Sequence, residues 1–122
     1  MQEHRFSRLE RLIGSDGLHS LAGASIAVIG VGGVGSYATE ALVRAGVGRL
    51  TLVDFDTIMP SNINRQIHAL EYTVGRRKVD VMAERCLAIN PEVDVRARHV
   101  FYSADTDEEL LAEGYDYLLD CI

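Results

Sequence analysis

The sequence predicts an α/β fold: a doubly wound, mostly parallel sheet with helices on both faces, preceded by short N-terminal helices. An apolar run at residues 26–29 leads into a glycine cluster and then into a helical pattern. That order is typical of a buried parallel strand, a tight turn and a crossover helix. Further strand patterns at residues 49–54 and 93–97 are separated by a second helical stretch. This alternation predicts a Rossmann-like architecture.

The N-terminal segment predicts two short helices. Residues 5–13 place Phe6, Leu9 and Leu12 on one helical face. Gly14 ends that helix, and Ser15 begins a second one that runs to about residue 21.

The remaining elements follow in alternating order. Helices are predicted at residues 35–45 and 76–89, on either side of the second strand and an irregular loop at residues 57–68. Alternating apolar and charged residues at 93–97 predict a third strand nearer the sheet edge, followed by an acidic helix at 107–113. Residues 115–122 predict a buried strand. Because the chain stops there, we expect residues 1–122 to be the N-terminal part of a longer protein, truncated at its C-terminal end.

Length and composition predict one soluble domain. The chain has 122 residues, of which 48% are hydrophobic and 25% charged, so it can bury a moderate core. It has no apolar run of the roughly 20 residues that a spanning helix needs. It also lacks a secretory signal and a CxxC motif, and we expect a cytoplasmic protein. The net charge of −6 argues against broad polyanion binding.

The glycine cluster favours nucleotide binding over a turn that only packs a helix on a sheet. Glycine lets the backbone approach a phosphate, and N–H groups at the start of a helix point at its charge. Gly30, Gly32 and Gly35 fit G-x-G-x-x-G, and Asp54 lies about 20 residues further on, where a ribose-binding acid belongs. The glycines do not distinguish one nucleotide from another.

A polar loop after the second strand favours a triphosphate over a nicotinamide. In the dinucleotide fold a helix usually follows soon after the acid, whereas here carboxamides and Arg65 intervene before Lys78. These two cations would neutralise charge as pyrophosphate leaves. Taken alone, Arg65 is explained equally well as a surface residue paired with Asp56, and Lys78 as a residue on a solvated helix face. The prediction depends on the combination. No P-loop motif and no protein-kinase motif set occurs.

The residues of these segments resemble the ThiF/MoeB/HesA family, an adenylating domain related to ubiquitin-activating enzymes. The resemblance spans nearly the whole chain in one register and rests on residues 30–36, 54–56, 61–66, 74–78 and 89–91. Within the family, residues 5–8 and 62–70 are most similar to the tRNA threonylcarbamoyladenosine dehydratases. Those enzymes use ATP to cyclise the threonylcarbamoyl group on the adenosine next to the anticodon.

The resemblance implies a function, cofactors and partners. The function is ATP-dependent adenylation of a carboxylate, with ATP and Mg²⁺ as cofactors and a homodimer as the working form. The partner is tRNA carrying threonylcarbamoyladenosine, or a ubiquitin-like sulfur carrier. In this family a magnesium-linked aspartate falls just after residues 120–122, so no metal ligand is predicted within the chain.

The resemblance also implies residue roles. Asp54 would bind the ribose hydroxyls, and an arginine of the N-terminal segment, Arg8 ahead of Arg5, would reach the partner's ATP across the dimer interface. The catalytic candidates are Arg65, Lys78 and Arg8. The candidates for nucleotide binding are Gly30, Gly32, Gly33, Gly35, Asp54, Asp56, Asn62, Asn64, Arg65, Gln66 and Lys78.

The sequence leaves open three alternatives to a tRNA threonylcarbamoyladenosine dehydratase. They are an adenylyltransferase for a sulfur-carrier protein, a non-catalytic module that binds NAD or another dinucleotide, and a pseudo-enzyme kept as a dimerisation partner. The substrate-binding half expected for this family lies outside the chain. We therefore expect residues 1–122 alone to be inactive or nearly so.

Overall fold

The computed structural model describes residues 2–122, in which strands and helices alternate along the chain. The elements are α1 (Ser7–Ala22), β1 (Ser25–Ile29), α2 (Gly33–Arg44), β2 (Arg49–Asp54), α3 (Lys78–Ile89), β3 (Asp94–His99), α4 (Ala104–Leu111) and β4 (Tyr117–Asp120). A short 3₁₀ helix, Pro60–Asn62, lies in the loop between β2 and α3. Helix α1 is two helices joined at Gly14, whose φ of 75° interrupts the helical backbone. The predicted pair of short N-terminal helices is therefore confirmed.

The four strands form one parallel sheet in the order β3-β2-β1-β4. The chain runs outward from β1 to β2 and β3, and then crosses to the other side of β1 to form β4. Because parallel crossovers are right-handed, this reversal puts α2 and α3 on one face of the sheet and α4 on the other. The doubly wound fold is thus confirmed, and every strand pair within residues 2–122 is parallel.

Two apolar layers follow from the alternation of side chains along β1 and β2. Val28 and Leu52 are buried in the cluster that includes Val43 of α2 and Met82 of α3. On the opposite face, Ala27, Ile29 and Val53 pack with Leu110 of α4. Since both central strands are covered on both faces, β1 and β2 end at the same well-packed edge. The turns that follow them are held close together there.

The structure corrects two details of the predicted C-terminal region. Helix α4 begins at Ala104 rather than near residue 107, because Ser103 and Thr106 form a capping box that starts the helix earlier. Residues 115–122 contain the predicted strand, but the prediction that this strand is buried is wrong. Strand β4 lies at the sheet edge, and Tyr117 and Leu118 are 68% and 36% exposed. An apolar run indicates a buried strand only where a further element covers it, and none among residues 2–122 covers the outer side of β4.

None of the helices within residues 2–122 has both the length and the apolar character required to cross a membrane.

A buried carboxylate joins α2 to α3. Glu40 on α2 is 8% exposed and accepts hydrogen bonds from Arg85 of α3 and Arg44 of its own helix, at 2.6 Å and 2.7 Å. Burial opposes ionisation of Glu40, but the two arginines outweigh it, and the pKa of the carboxyl lies below its usual 4.5.

We expect Glu40→Gln to lower the free energy of unfolding by about 2 kcal/mol at pH 7, because it removes the charge that accepts three hydrogen bonds from Arg85 and Arg44. The folded-state pKa is lowered, so this stabilisation is complete above the unfolded pKa near 4.5. It is lost as the pH falls through the lower folded value. Urea unfolding from pH 7 to pH 3 should show the two proteins converging in acid. A constant difference across this range would contradict the ion-pair origin.

Candidate functional site

The turn after β1 is a close-packed glycine bend. Gly30 has a φ of +93°, and a Cβ there would lie 2.8 Å from the carbonyl oxygen of Cys121 at the end of β4. A Cβ on Gly35 would lie only 1.7 Å from the carbonyl oxygen of Gly30, because the first turn of α2 packs directly on the bend. Glycine at these two positions is required by the fold itself.

Gly32 and Gly33 differ from the other two glycines, because the packing of the chain does not require them. A Cβ on Gly32 would lie 3.6 Å from Nε2 of Gln66, and one on Gly33 would lie 3.9 Å from Cγ of Arg65. These are ordinary van der Waals distances, and neither glycine has a positive φ. The absence of side chains keeps the backbone of the bend open at the start of α2, as phosphate binding requires.

The side chains of Asp54 and His68 hold the bend through hydrogen bonds to the backbone of Val31. The Val31 N–H donates to Oδ2 of Asp54 at 2.7 Å, and the Val31 carbonyl lies 2.7 Å from Nε2 of His68. A carbonyl oxygen can only accept, so Nε2 of His68 carries the proton. His68 is 1% exposed. Burial lowers its pKa, and Lys78 lowers it further, against the opposing effects of the Val31 bond and Asp54. The bend thus rests on a carboxylate and a neutral imidazole.

A cavity of about 360 Å³ lies at the carboxyl edge of the sheet, between the bend and the ends of β2, β3 and β4. It has a polar side with two carboxylates and a lysine, and a larger apolar side. Its lining consists of Ile29, Gly30, Gly32, Val53, Asp54, Phe55, Asp56, Lys78, Val100, Phe101, Tyr102, Cys121 and Ile122. In doubly wound sheets, ligands bind at this edge where the strand order reverses, which here is the β1/β4 junction.

Lys78 provides the positive charge in the cavity. It is the first residue of α3, and it is 6% exposed although lysine side chains are almost never buried without a partner. Its Nζ lies 3.9 Å from Oδ2 of Asp56, whose side chain is 72% exposed. The ammonium group is therefore held in the cavity by a weak, solvated partner, and it remains available to an anion.

The apolar side of the cavity carries exposed aromatic rings. Phe55, between the two aspartates, is 57% exposed and stacks on His99 with ring centroids 5.4 Å apart. Phe101 meets Phe55 edge to face at 6.1 Å and is itself 66% exposed. Exposed rings beside a cavity are suited to contact a planar heterocycle.

The polar loop supplies residues beside the bend rather than in the cavity. Arg65 is exposed, and its Nη1 donates to the Ser61 carbonyl and to Oδ1 of Asn64. Asn62 is buried, and its Oδ1 accepts the Met59 N–H. Asn62 therefore shapes the loop in the described structure, whereas Arg65 and Asn64 lie at its surface.

Gln66 is the loop residue nearest the bend. It is 6% exposed, and its Nε2 is next to Gly32. Its Oε1 is buried and has no hydrogen-bond partner among the residues the structure describes. A buried amide oxygen that lacks a partner costs free energy, and it fits a site that is completed by a ligand.

The N-terminal arginines lie elsewhere. Arg5 approaches Oδ1 of Asn90 at 3.5 Å, near the end of α3, and Arg8 is exposed on α1. Helix α1 precedes β1, so it lies at the opposite end of the sheet from the bend. Within one chain the structure does not bring Arg8 or Arg5 to the cavity.

Sequence reasoning missed several residues of the cavity. Phe55 lies in the segment 54–56 that carries the family resemblance, but no role in the site is predicted for it. Val100, Phe101 and Cys121 are not among the predicted site residues. The position of Phe55, an apolar residue between two aspartates at the end of a strand, was a signal that could have been used. The others follow the ends of β3 and β4, and only the strand order shows that these ends meet.

The doubly wound sheet and the cavity at its carboxyl edge place the chain in the class of nucleotide-binding α/β domains. Comparison with known proteins narrows the class. The chain belongs to the ThiF family, whose model matches residues 6–122.

Curated relatives come from two branches of this family. The tRNA threonylcarbamoyladenosine dehydratase of Bacillus subtilis is 52% identical over 117 residues, which are 96% of this chain and 46% of the relative. The molybdopterin-synthase adenylyltransferase of Salmonella typhimurium is 39% identical over 119 residues, covering 96% of this chain and 47% of the relative. The chain thus spans about half the length of the curated relatives it matches.

A solved structure agrees with the fold over almost the whole chain. The crystal structure of Escherichia coli tRNA N6-threonylcarbamoyladenosine dehydratase in complex with ATP superposes with a TM-score of 0.95 at 47% identity. The match covers 97% of this chain and 49% of that one. The same enzyme has also been solved in complex with AMP, with the same TM-score.

Proposed function

We propose that the chain binds ATP in the cavity at the carboxyl edge of the sheet and activates a carboxylate by adenylation. The observation that carries the proposal is the convergence of the glycine bend, Asp54 and the buried Lys78 on one cavity. Similarity over 97% of the chain to an enzyme solved with ATP supports the choice of nucleotide.

The residues present fit a nucleoside triphosphate. The open backbone at Gly32 and Gly33 and the ammonium of Lys78 suit phosphate oxygens, while Asp54 suits the ribose hydroxyls. Arg65 is on a surface loop beside Gly33, from which it would turn towards the triphosphate. We also propose that the nucleotide is bound by Asn62, Asn64, Gln66 and Asp56. Gln66 is favoured among them because its side-chain carbonyl oxygen is buried without a hydrogen-bond partner in the described residues.

In the proposed reaction, a substrate carboxylate oxygen forms a bond to the α-phosphorus and pyrophosphate leaves with the electron pair of the broken P–O bond. Both reactants are anionic, so fixed cations that screen their charges supply much of the acceleration. Lys78 and Arg65 would do this in the chain. Mg²⁺ would be bound mainly by the phosphate oxygens of ATP. Within residues 2–122 no group of three or more potential ligands is present to hold an ion.

For the substrate we propose the threonylcarbamoyl group of a modified tRNA adenosine. After activation of its carboxylate, an internal nucleophile of the modified base would displace AMP and close a ring. Greater similarity to dehydratases, at 52% identity, than to adenylyltransferases, at 39%, favours this substrate over a sulfur-carrier protein. We also propose a homodimer, in which Arg8 or Arg5 would reach the partner's nucleotide.

The test is exchange of labelled pyrophosphate into ATP, with either threonylcarbamoyl-modified tRNA or a sulfur-carrier protein as the carboxylate. In a full-length protein that carries this sequence at its N-terminus, we expect modified tRNA to support pyrophosphate exchange. We expect residues 1–122 alone to give little or no exchange. Exchange only with the carrier protein would support the second branch. Calorimetry with ATP and NAD is the control, and tighter binding of NAD would contradict adenylation altogether.

A further inference from the structure

We propose that His68 is a positioning residue that turns the backbone N–H of Gly32 towards the phosphates of the bound nucleotide. This inference rests on the proposed function, and it adds a residue that was not among the predicted site residues. His68 does not line this cavity. It acts through the peptide that joins Val31 to Gly32.

The geometry of a trans peptide carries the argument. Nε2 of His68 donates to the Val31 carbonyl at 2.7 Å, and that carbonyl belongs to the same planar unit as the Gly32 N–H. In a trans peptide the C=O and N–H point in opposite directions. With the carbonyl fixed on the buried imidazole, the Gly32 N–H is directed away from the interior. Gly32 lines the cavity, and its N–H has no acceptor among residues 2–122.

The peptide needs such an anchor because little else prevents it from rotating. Gly32 has no side chain, and a Cβ there would touch only the end of Gln66. The preceding peptide is already fixed, since the Val31 N–H donates to Asp54. The two peptides that flank Val31 are therefore held by side chains from two different segments, and only the second peptide presents its N–H to the cavity.

His68 is itself well placed to be a rigid donor. Its own carbonyl accepts the Thr73 hydroxyl at 2.8 Å, and both residues are buried. Its Nδ1 has no partner in the described part of the chain, so the imidazole makes a single polar contact, the one to the bend. Burial lowers the pKa of His68, which keeps one proton on the ring at neutral pH.

The test compares phosphorylated and unphosphorylated ligands. His68→Phe keeps a ring of similar size but removes the donor, whereas His68→Gln retains an N–H near the position of Nε2. His19→Gln, at an exposed position on α1, is the matched control. Calorimetry gives the affinities of each purified protein for ATP, AMP and adenosine, and thermal unfolding reports stability separately.

We expect His68→Phe to weaken ATP and AMP at least roughly 10-fold, the value of one hydrogen bond to a charged group, while adenosine affinity changes less than about 2-fold. His68→Gln should recover most of the loss. Equal weakening of all three ligands, or no weakening, would overturn the inference. If wild-type protein binds no ATP, the proposed function fails first and the positioning role fails with it.

A measurement on the wild-type protein covers the case in which His68→Phe does not fold. The amide resonance of Gly32 should shift strongly on addition of AMP and little on addition of adenosine, because only AMP brings a phosphate to that N–H. An amide signal that responds equally to both ligands would contradict the proposal.

Discussion

Lys78→Met should lower ATP affinity roughly 10- to 100-fold while leaving the protein folded, and the same change in a full-length protein that carries this sequence should slow pyrophosphate exchange by about 10²–10³. The ammonium is the buried cation of the cavity, and its nearest carboxylate is 3.9 Å away on an exposed side chain. Methionine matches the length of the stem without the charge. Removal of a charge that is buried with a weak partner should leave the melting temperature unchanged or raise it.

The matched control for this change is Arg77→Met, one residue earlier. Arg77 is exposed and does not line the cavity, so the same loss of one positive charge should alter binding by less than about 2-fold. Differential scanning fluorimetry and calorimetry on both variants separate stability from affinity. If the two substitutions weakened ATP binding equally, the effect would come from overall charge, and Lys78 would not hold the nucleotide.

Periodicity was sufficient to predict most of the fold. Residues 26–29 are a continuous apolar run and residues 50–53 are apolar except for Thr51, because both faces of β1 and β2 are covered, and such runs are typical of central parallel strands. The alternating pattern of β3 placed it correctly at an edge. Strand β4 carries a similar apolar run, yet it is largely exposed. The apolar pattern of a strand shows that its side chains are suited to burial, but it does not show whether another element is present to cover them.

The candidate site was predictable only in part, for a related reason. Gly30, Asp54 and Lys78 each lie at the end or start of an element, so the topology determines that they meet. The loop at residues 57–68 has no repeating pattern that would fix the direction of a side chain. Asn62 is predicted to contact phosphate, and in the structure its side-chain oxygen also accepts the Met59 N–H and so caps the 3₁₀ turn, a role that its spacing does not indicate. Spacing in a sequence distinguishes poorly between an amide that builds a loop and one that binds a ligand.

His68 illustrates the limit most clearly. The sequence does not distinguish a role for this residue in lining the site from a role in packing. The structure shows a buried imidazole whose one hydrogen bond within residues 2–122 is to the Val31 carbonyl, 37 positions earlier in the chain. No local pattern encodes a hydrogen bond between two irregular segments, because neither has a regular backbone from which the approach can be inferred.

Gly35→Ala and Gly33→Ala should separate the structural glycines of the bend from the functional ones. In Gly35→Ala the new methyl carbon would lie 1.7 Å from the Gly30 carbonyl oxygen, which is backbone and cannot move without displacing α2 from β1. We expect a loss of at least about 3 kcal/mol in the free energy of unfolding, enough to unfold much of a marginally stable domain. Circular dichroism and urea unfolding measure this directly.

In Gly33→Ala the nearest atom to the new methyl carbon is Cγ of Arg65 at 3.9 Å, so the fold should accept the change with less than about 1 kcal/mol of difference. The methyl group would instead occupy the space in which the backbone must approach a phosphate. ATP affinity should therefore fall at least roughly 10-fold in a protein of nearly wild-type stability. A folded Gly33→Ala variant with undiminished affinity would mean that the phosphates lie elsewhere. A stable Gly35→Ala variant would show that α2 does not pack on the bend as described.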